Sequence, residues 1–146
     1  MSGQILLVSG PNLDLLGTRS PDIYGTATLE EHVQRFREAA SEAGYAVSDV
    51  QSNFEGDLIE AIHAARESAV AIVVNLGALT HSSWALCDAL AIFEGVKIEV
   101  HLSNPAAREP FRHVSTIAGV VNGTIAGFGG LGYDLALVAV RRLLEG

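Results

Sequence analysis

Three groups of side chains in this sequence have the means to move protons or hold an anion, and each follows a short apolar run. Asn12, Arg19 and Tyr24 stand in the stretch Gly10–Gly25, GPNLDLLGTRSPDIYG. Asn75 leads into Gly77, Ala78, Thr80 and His81, and Glu99, His101 and Ser103 close the segment VKIEVHLS. In that segment Val96, Ile98, Val100 and Leu102 alternate with Lys97, Glu99, His101 and Ser103, which is the period of a strand. Glu99 and His101 therefore share one face, about 7 Å apart along the chain. A carboxylate at that range orients or charge-stabilises an imidazole directly or through water, which makes the pair a candidate proton donor.

The elements that must hold these groups follow from periodicity. Ile5–Val8 is a continuous apolar run of the kind found in strands buried on both faces. In the loop that leaves it, Gly10, Pro11, Asn12, Gly17, Pro21 and Gly25 break any regular pattern, so neither helix nor strand is expected there. The loop is too long for an ordinary connection and, with Leu13, Leu15, Leu16 and Ile23, too apolar for disorder, which marks it as functional. Thr28 and Glu31 have the spacing of a capping box, and Leu29, Val33, Phe36, Ala40 and Ala43 share one helical face until Gly44. Tyr45–Gln51 reads as a strand, and Leu58, Ile59, Ile62, Ala65 and Ala69 mark a second helix. Val70–Asn75 is a buried strand, Leu76–Thr80 a turn, Ser82–Phe93 a third helix and Val96–Ser103 a strand. An irregular segment over Asn104–Ala118 precedes a last strand, Gly119–Ala126, and a helix over Tyr133–Leu144. Such alternation predicts an α/β fold in one domain spanning 1–146, with a five-stranded parallel sheet and helices on both faces. Ligands then bind beyond the carboxyl ends of the strands, where all three polar groups lie.

Composition narrows the function. A chain of 146 residues with 49% hydrophobic and 18% charged residues is more apolar than a small monomer needs, so part of its surface is expected to meet copies of itself. A net charge of −8 argues against binding nucleic acid or an anionic membrane through a general field. Any anionic ligand falls to the arginines, since Lys97 is the only lysine. The single cysteine, Cys87, excludes an internal disulfide and fits a reducing compartment. With no signal-peptide pattern and no run near the ~18 apolar residues of a membrane span, a cytoplasmic location is expected.

Other motifs carry less. His32 and His63 fall mid-helix among charges and read as solvated, while His113 beside Arg112 is ambiguous. No i, i+4 histidine pair and no thiolate cluster exist, so no metal site is expected. Gly127, Gly129 and Gly132 spell G-x-G-x-x-G, but the dinucleotide fingerprint needs a following strand and an acidic residue about 20 positions on. Close packing of the last helix on its strand accounts for these glycines better.

GPNLDLLGTRSPDIYG, the QSN of Gln51–Asn53, NLGALTHSS over Asn75–Ser83, ALCDAL around Asp88, and EVHLSN through AREPFRH between Glu99 and His113 resemble type II 3-dehydroquinate dehydratase over nearly the whole length. The resemblance implies a flavodoxin-like three-layer sandwich. It also implies a cofactor-free lyase that takes water from 3-dehydroquinate to give 3-dehydroshikimate, in the shikimate pathway or in quinate catabolism. By position, Tyr24 would be the base and His101 the acid, with Glu99 orienting His101. Phenols ordinarily titrate near 10, so a tyrosine base needs cationic neighbours, for which Arg19 and Arg108 are available. Arg19 would ride with Tyr24 on a lid hinged at Gly17 and Gly25 and stabilise the enolate, and Asn12 would hold a water on the enolate oxygen. Asn75, His81, Leu102, Ser103 and Arg112 would bind the hydroxyls and carboxylate.

The family also implies trimers, four of which form a dodecamer, with Asp88 reaching from one subunit toward its neighbour's pocket. An apolar stripe of Trp84, Ala85, Ala89 and Ile92 beside Asp88 is expected to face that neighbour. The sequence departs from the usual pattern at Asp14, Leu76, Cys87, Ala106, Val114, Thr116 and Leu131, with every presumed catalytic position kept. A paralogue of low activity that binds a polyhydroxy acid is the alternative, separated by steady-state turnover. A nucleotide binder is disfavoured because Pro11 removes an amide from the first loop.

Overall fold

The computed structural model describes residues 3–146. Five strands, β1 (Gly3–Ser9), β2 (Tyr45–Gln51), β3 (Ala71–Asn75), β4 (Val96–His101) and β5 (Gly123–Ala126), form one parallel sheet in the order β2-β1-β3-β4-β5. This is the flavodoxin-like order, in which the chain switches direction across the sheet between β1 and β3. The helices are α1 (Pro21–Tyr24), α2 (Leu29–Glu42), α3 (Glu55–Ser68), α4 (Trp84–Ile92) and α5 (Leu131–Glu145). Among the described residues, no helix is long and apolar enough to cross a membrane.

The sheet is covered on both sides because β1 and β3 carry unbroken apolar runs, Ile5–Val8 and Ala71–Val74, whose side chains point alternately to either face. Ile5 and Leu7 of β1, with Ala71 and Val73 of β3, join Phe36, Ala136 and Val140 beneath α2 and α5. Leu6, Val8, Ile72 and Val74 point the other way into Leu58, Ile62, Leu86, Leu90 and Phe93 of the α3–α4 layer. In β4 the two faces differ in kind. Val96, Ile98 and Val100 enter the α2–α5 core, whereas Lys97, Glu99 and His101 occupy the face toward α3 and α4. The predicted capping box forms: the Glu31 amide donates to Thr28 Oγ1 at 3.1 Å and the Thr28 amide to Glu31 Oε1 at 3.3 Å.

Several boundaries differ from those read in the sequence. The first loop holds a 3-10 turn at Leu13–Leu15 and the one-turn helix α1. Pro21 pre-sets the helical φ there, and Gly25 at φ 83° ends the turn. The turn read at Leu76–Thr80 is a 3-10 helix over Gly77–His81, with Leu76 as its N-cap. Strand β5 begins at Gly123, because Asn122 is drawn into a turn by its amide bond to the Lys97 carbonyl and its side-chain bond to the Lys97 amide. Ala89 faces the core with Leu86 and Leu90, so the outward face of α4 carries Trp84, Ala85, Asp88 and Ile92. His32 is half-buried rather than solvated: its ring packs against Tyr133 at 5.5 Å between centroids, and burial lowers its pKa. Gly132 supports the packing account of its motif, since a Cβ there would lie 3.3 Å from Val100 Cγ1.

Candidate active site

The carboxyl ends of β1, β3 and β4 converge on one cleft, and backbone contacts fix how closely. The Gly10 amide donates to the Asn75 carbonyl at 2.8 Å, and a Cβ at Gly10 would fall 2.2 Å from the Leu76 carbonyl oxygen. Only glycine lets the two strand ends approach in this way. From there the chain enters Asn12 in the left-handed region at φ 70°, a conformation asparagine tolerates better than most residues. Its amide is held by Asn53 Oδ1 at 2.9 Å, and Gln51 Nε2 donates to the Gly10 carbonyl at 3.2 Å. The QSN segment at the end of β2 thus clamps the first loop. That role is invisible in sequence spacing, since the partners lie 41 positions apart.

The cleft gathers Asn12, Arg19, Tyr24, Asn75, His81, His101, Leu102, Ser103, Arg108 and Arg112. Its volume is about 40 Å³. A larger hollow of about 760 Å³ on the outer side of α1 shares Tyr24, Ser103 and Arg108 but is not lined by His101, Asn75 or Arg112. The smaller space is where acid–base groups converge, and α1 forms the wall between the two.

Tyr24 sits between two cations. Arg108 Nη1 donates to the Tyr24 hydroxyl at 2.9 Å and to Ser103 Oγ at 3.1 Å. The Arg19 guanidinium lies over the Tyr24 ring at 4.6 Å from its centroid. One guanidinium thus meets the phenol oxygen and the other the ring face. Gly17 and Gly25, at φ 94° and 83°, bracket the segment that carries Arg19 and Tyr24.

Across the cleft, His101 Nε2 is 2.6 Å from Glu99 Oε2. Glu99 is fully buried, and the expected pairing is direct. Burial pushes the Glu99 carboxyl up, but His101, Ser115 and Thr124 all donate to it, and together they hold it below the usual carboxylate value. An ionised carboxylate only accepts, so His101 carries a proton on Nε2 and turns Nδ1 toward the cleft.

The remaining polar groups are oriented by backbone. Asn75 Oδ1 accepts the Gly77 amide at 3.1 Å, which leaves its NH₂ to bond elsewhere. His81 Nδ1 donates to the Val114 carbonyl at 2.6 Å, leaving Nε2 for a ligand. Arg112 is held by Glu109 at 3.2 Å and stacks on Phe111. Asp88 is the one expected site residue the structure does not bring here: it is exposed on α4 and takes no part in lining the cleft. Among the described residues no group of three His, Cys, Asp or Glu is placed to hold a metal ion.

The family model for Dehydroquinase class II matches residues 3–141. The chain is 51% identical over 137 residues to the 3-dehydroquinate dehydratase 1 of Corynebacterium efficiens, covering 94% of this chain and 91% of that protein. It is 53% identical over 141 residues to the 3-dehydroquinate dehydratase of Ruegeria pomeroyi, covering 97% and 95%. Among solved structures, the type II dehydroquinase of Propionibacterium acnes superposes with a TM-score of 0.93 at 44% identity, covering 97% of this chain and 98% of that one. With the fold, the cleft and these likenesses agreeing over the whole length, the chain belongs to the type II dehydroquinase family.

Proposed function

We propose that this protein is a 3-dehydroquinate dehydratase, a hydro-lyase converting 3-dehydroquinate to 3-dehydroshikimate and water through an enolate. The observation that carries the reading is the opposition of a phenol set between two guanidiniums and an imidazole backed by a buried carboxylate. The Tyr24 phenolate takes a proton from the carbon next to the ketone. The electron pair of that C–H bond moves onto the ketone oxygen, where Arg19 and a water on Asn12 stabilise the charge. Collapse of the enolate breaks the C–O bond, and the departing hydroxyl takes the His101 Nδ1 proton and leaves as water. Transfer of the proton from Tyr24 back to His101 completes the cycle. Arg112 pairs with the substrate carboxylate, while Asn75, His81, Ser103 and the Leu102 backbone bind the hydroxyls. The segment carrying Arg19 and Tyr24, bracketed by Gly17 and Gly25, closes over the substrate and excludes water.

No lysine imine is involved in this route. Lys97 Nζ is engaged by the carbonyls of Leu90 and Phe93 at 2.9 and 2.7 Å, at the end of α4 and near the start of β4, the opposite end of the strands from the cleft. Borohydride added during turnover is expected to trap no adduct. A reduced substrate adduct on Lys97 in the mass spectrum would refute the enolate route.

The same reading extends to assembly as a trimer and then a dodecamer, with Asp88 acting in a neighbour's site. What supports it is the exposed face of α4, where Trp84 and Ile92 are 67% and 49% accessible beside Asp88. Asp88→Ala is expected to weaken association and substrate affinity together. Light scattering and KM measured on one sample check this, and a fully active particle with the mass of one chain would exclude it.

A further inference from the structure

Behind His101 lies a polar arrangement that the reaction as described does not use. The Glu99 carboxylate receives a donor on each oxygen besides the imidazole: Ser115 Oγ donates to Oε2 at 2.9 Å and Thr124 Oγ1 to Oε1 at 3.0 Å. The direction of the Ser115 bond is fixed. Its oxygen already accepts the Ile117 and Ala118 amides at 3.3 and 3.1 Å, so its own proton is committed to Glu99. Thr124 stands opposite Glu99 in the β4–β5 register, which aims its hydroxyl at the same carboxylate. Two strands and the segment before β5 thus converge on one buried charge.

We infer that Thr124 and Ser115 are positioning residues for proton delivery: by filling Glu99 with donors they keep it an acceptor and so keep the deliverable proton of His101 on Nδ1, facing the cleft. A protonated Glu99 would have to turn an O–H toward one of these groups and give up an incoming bond. It would also release the imidazole to flip or to lose its Nε2 proton, and the acid would then point away from the leaving hydroxyl. Burial drives Glu99 toward that neutral form, and the donors oppose it. The other titratable and charged groups around it do not replace them. Lys97 on the same strand face is spent on α4 carbonyls. His81, Arg112 and His113, which with His101 line a 210 Å³ cavity beside Glu99, bond to the Val114 carbonyl, Glu109 and the Arg108 carbonyl.

The inference rests on the proposed dehydration, and its test has an arm that does not. Thr124→Val keeps the shape of the side chain and removes one donor, and Thr124→Ser restores it. In turnover of 3-dehydroquinate, T124V is expected to lose roughly tenfold in kcat, the scale of one hydrogen bond to a charged group, with KM little changed. The acid limb of its kcat profile moves to higher pH, because Glu99 then takes up a proton earlier on acidification, and T124S recovers both. Independently, carboxyl-carbon NMR of the substrate-free protein should show the Glu99 titration moving upward in T124V and returning in T124S. Thermal unfolding checks that the variants are folded. An unmoved Glu99 titration, or a T124V acid limb identical to the wild type, would overturn the inference. A wild-type protein that fails to turn over while Glu99 still shifts would overturn the proposed activity and leave the Thr124 assignment standing.

Discussion

Replacing Tyr24 with phenylalanine is expected to lower kcat by at least about a hundredfold, the usual scale for a positioned acid or base, with a much smaller change in KM. The substitution removes one oxygen and keeps the ring on which Arg19 stacks. What is lost is the atom that Arg108 holds at 2.9 Å, the only phenol in the cleft. Because the ring remains, α1 can still close over the substrate, so binding survives while proton abstraction does not. Steady-state kinetics separates the two parameters. A variant with near-normal kcat would remove Tyr24 from the role of base, and a large rise in KM alone would make it a binding residue.

His101→Ala is expected to cost as much in turnover and, unlike the tyrosine change, to destabilise the fold. The imidazole is the nearest partner of a carboxylate that is wholly buried. Removing one member of a buried pair leaves the other uncompensated, at a cost of about 3–5 kcal/mol. Here Ser115 and Thr124 still donate, which places the effect toward the lower end. The pH dependence has a definite sign. In the wild type Glu99 is held below its ordinary 4.5, so its contribution to stability is present above that pH and fades as pH falls through the lowered value. In His101→Ala a main opposing donor is gone and burial raises the carboxyl. The deficit relative to wild type is therefore largest at neutral pH and shrinks on acidification, where both proteins carry a neutral Glu99. Denaturant unfolding at several pH values checks this, and a deficit that grew toward acid pH would contradict it.

Sequence pattern carried the sheet because Ile5–Val8 and Ala71–Val74 are unbroken apolar runs, as strands buried on both faces require, and β4 alternates strictly. It placed the Glu99–His101 pair for the same reason: residues two apart on a strand share a face whatever surrounds them. Asn12, Arg19 and Tyr24 could be marked as loop residues at a strand end. Their mutual geometry could not, because the Arg108 bond to Tyr24 spans 84 positions and depends on how two irregular segments fold over each other. The one-turn helix α1 escaped periodicity, since four residues hold barely one period. Thr124 and Ser115 gave no signal. A threonine in a strand and a serine before one are ordinary until the register sets both against Glu99. His32 misled for the opposite reason: its charged sequence neighbours suggested solvent, but the face of α2 it shares with Phe36 turns toward Tyr133 on α5. Asp88 stands apart from the cleft because α4 points it outward.

The most direct measurement is ultraviolet absorbance after purified protein meets 3-dehydroquinate in the presence of a chelator. Dehydration creates a double bond conjugated with the ketone, and the enone absorbs where the substrate does not. The expected result is growth of that absorbance at a rate proportional to protein, undiminished by the chelator, and reduced at least about a hundredfold in Tyr24→Phe. A folded wild-type protein that leaves the spectrum of 3-dehydroquinate unchanged would contradict the proposed function.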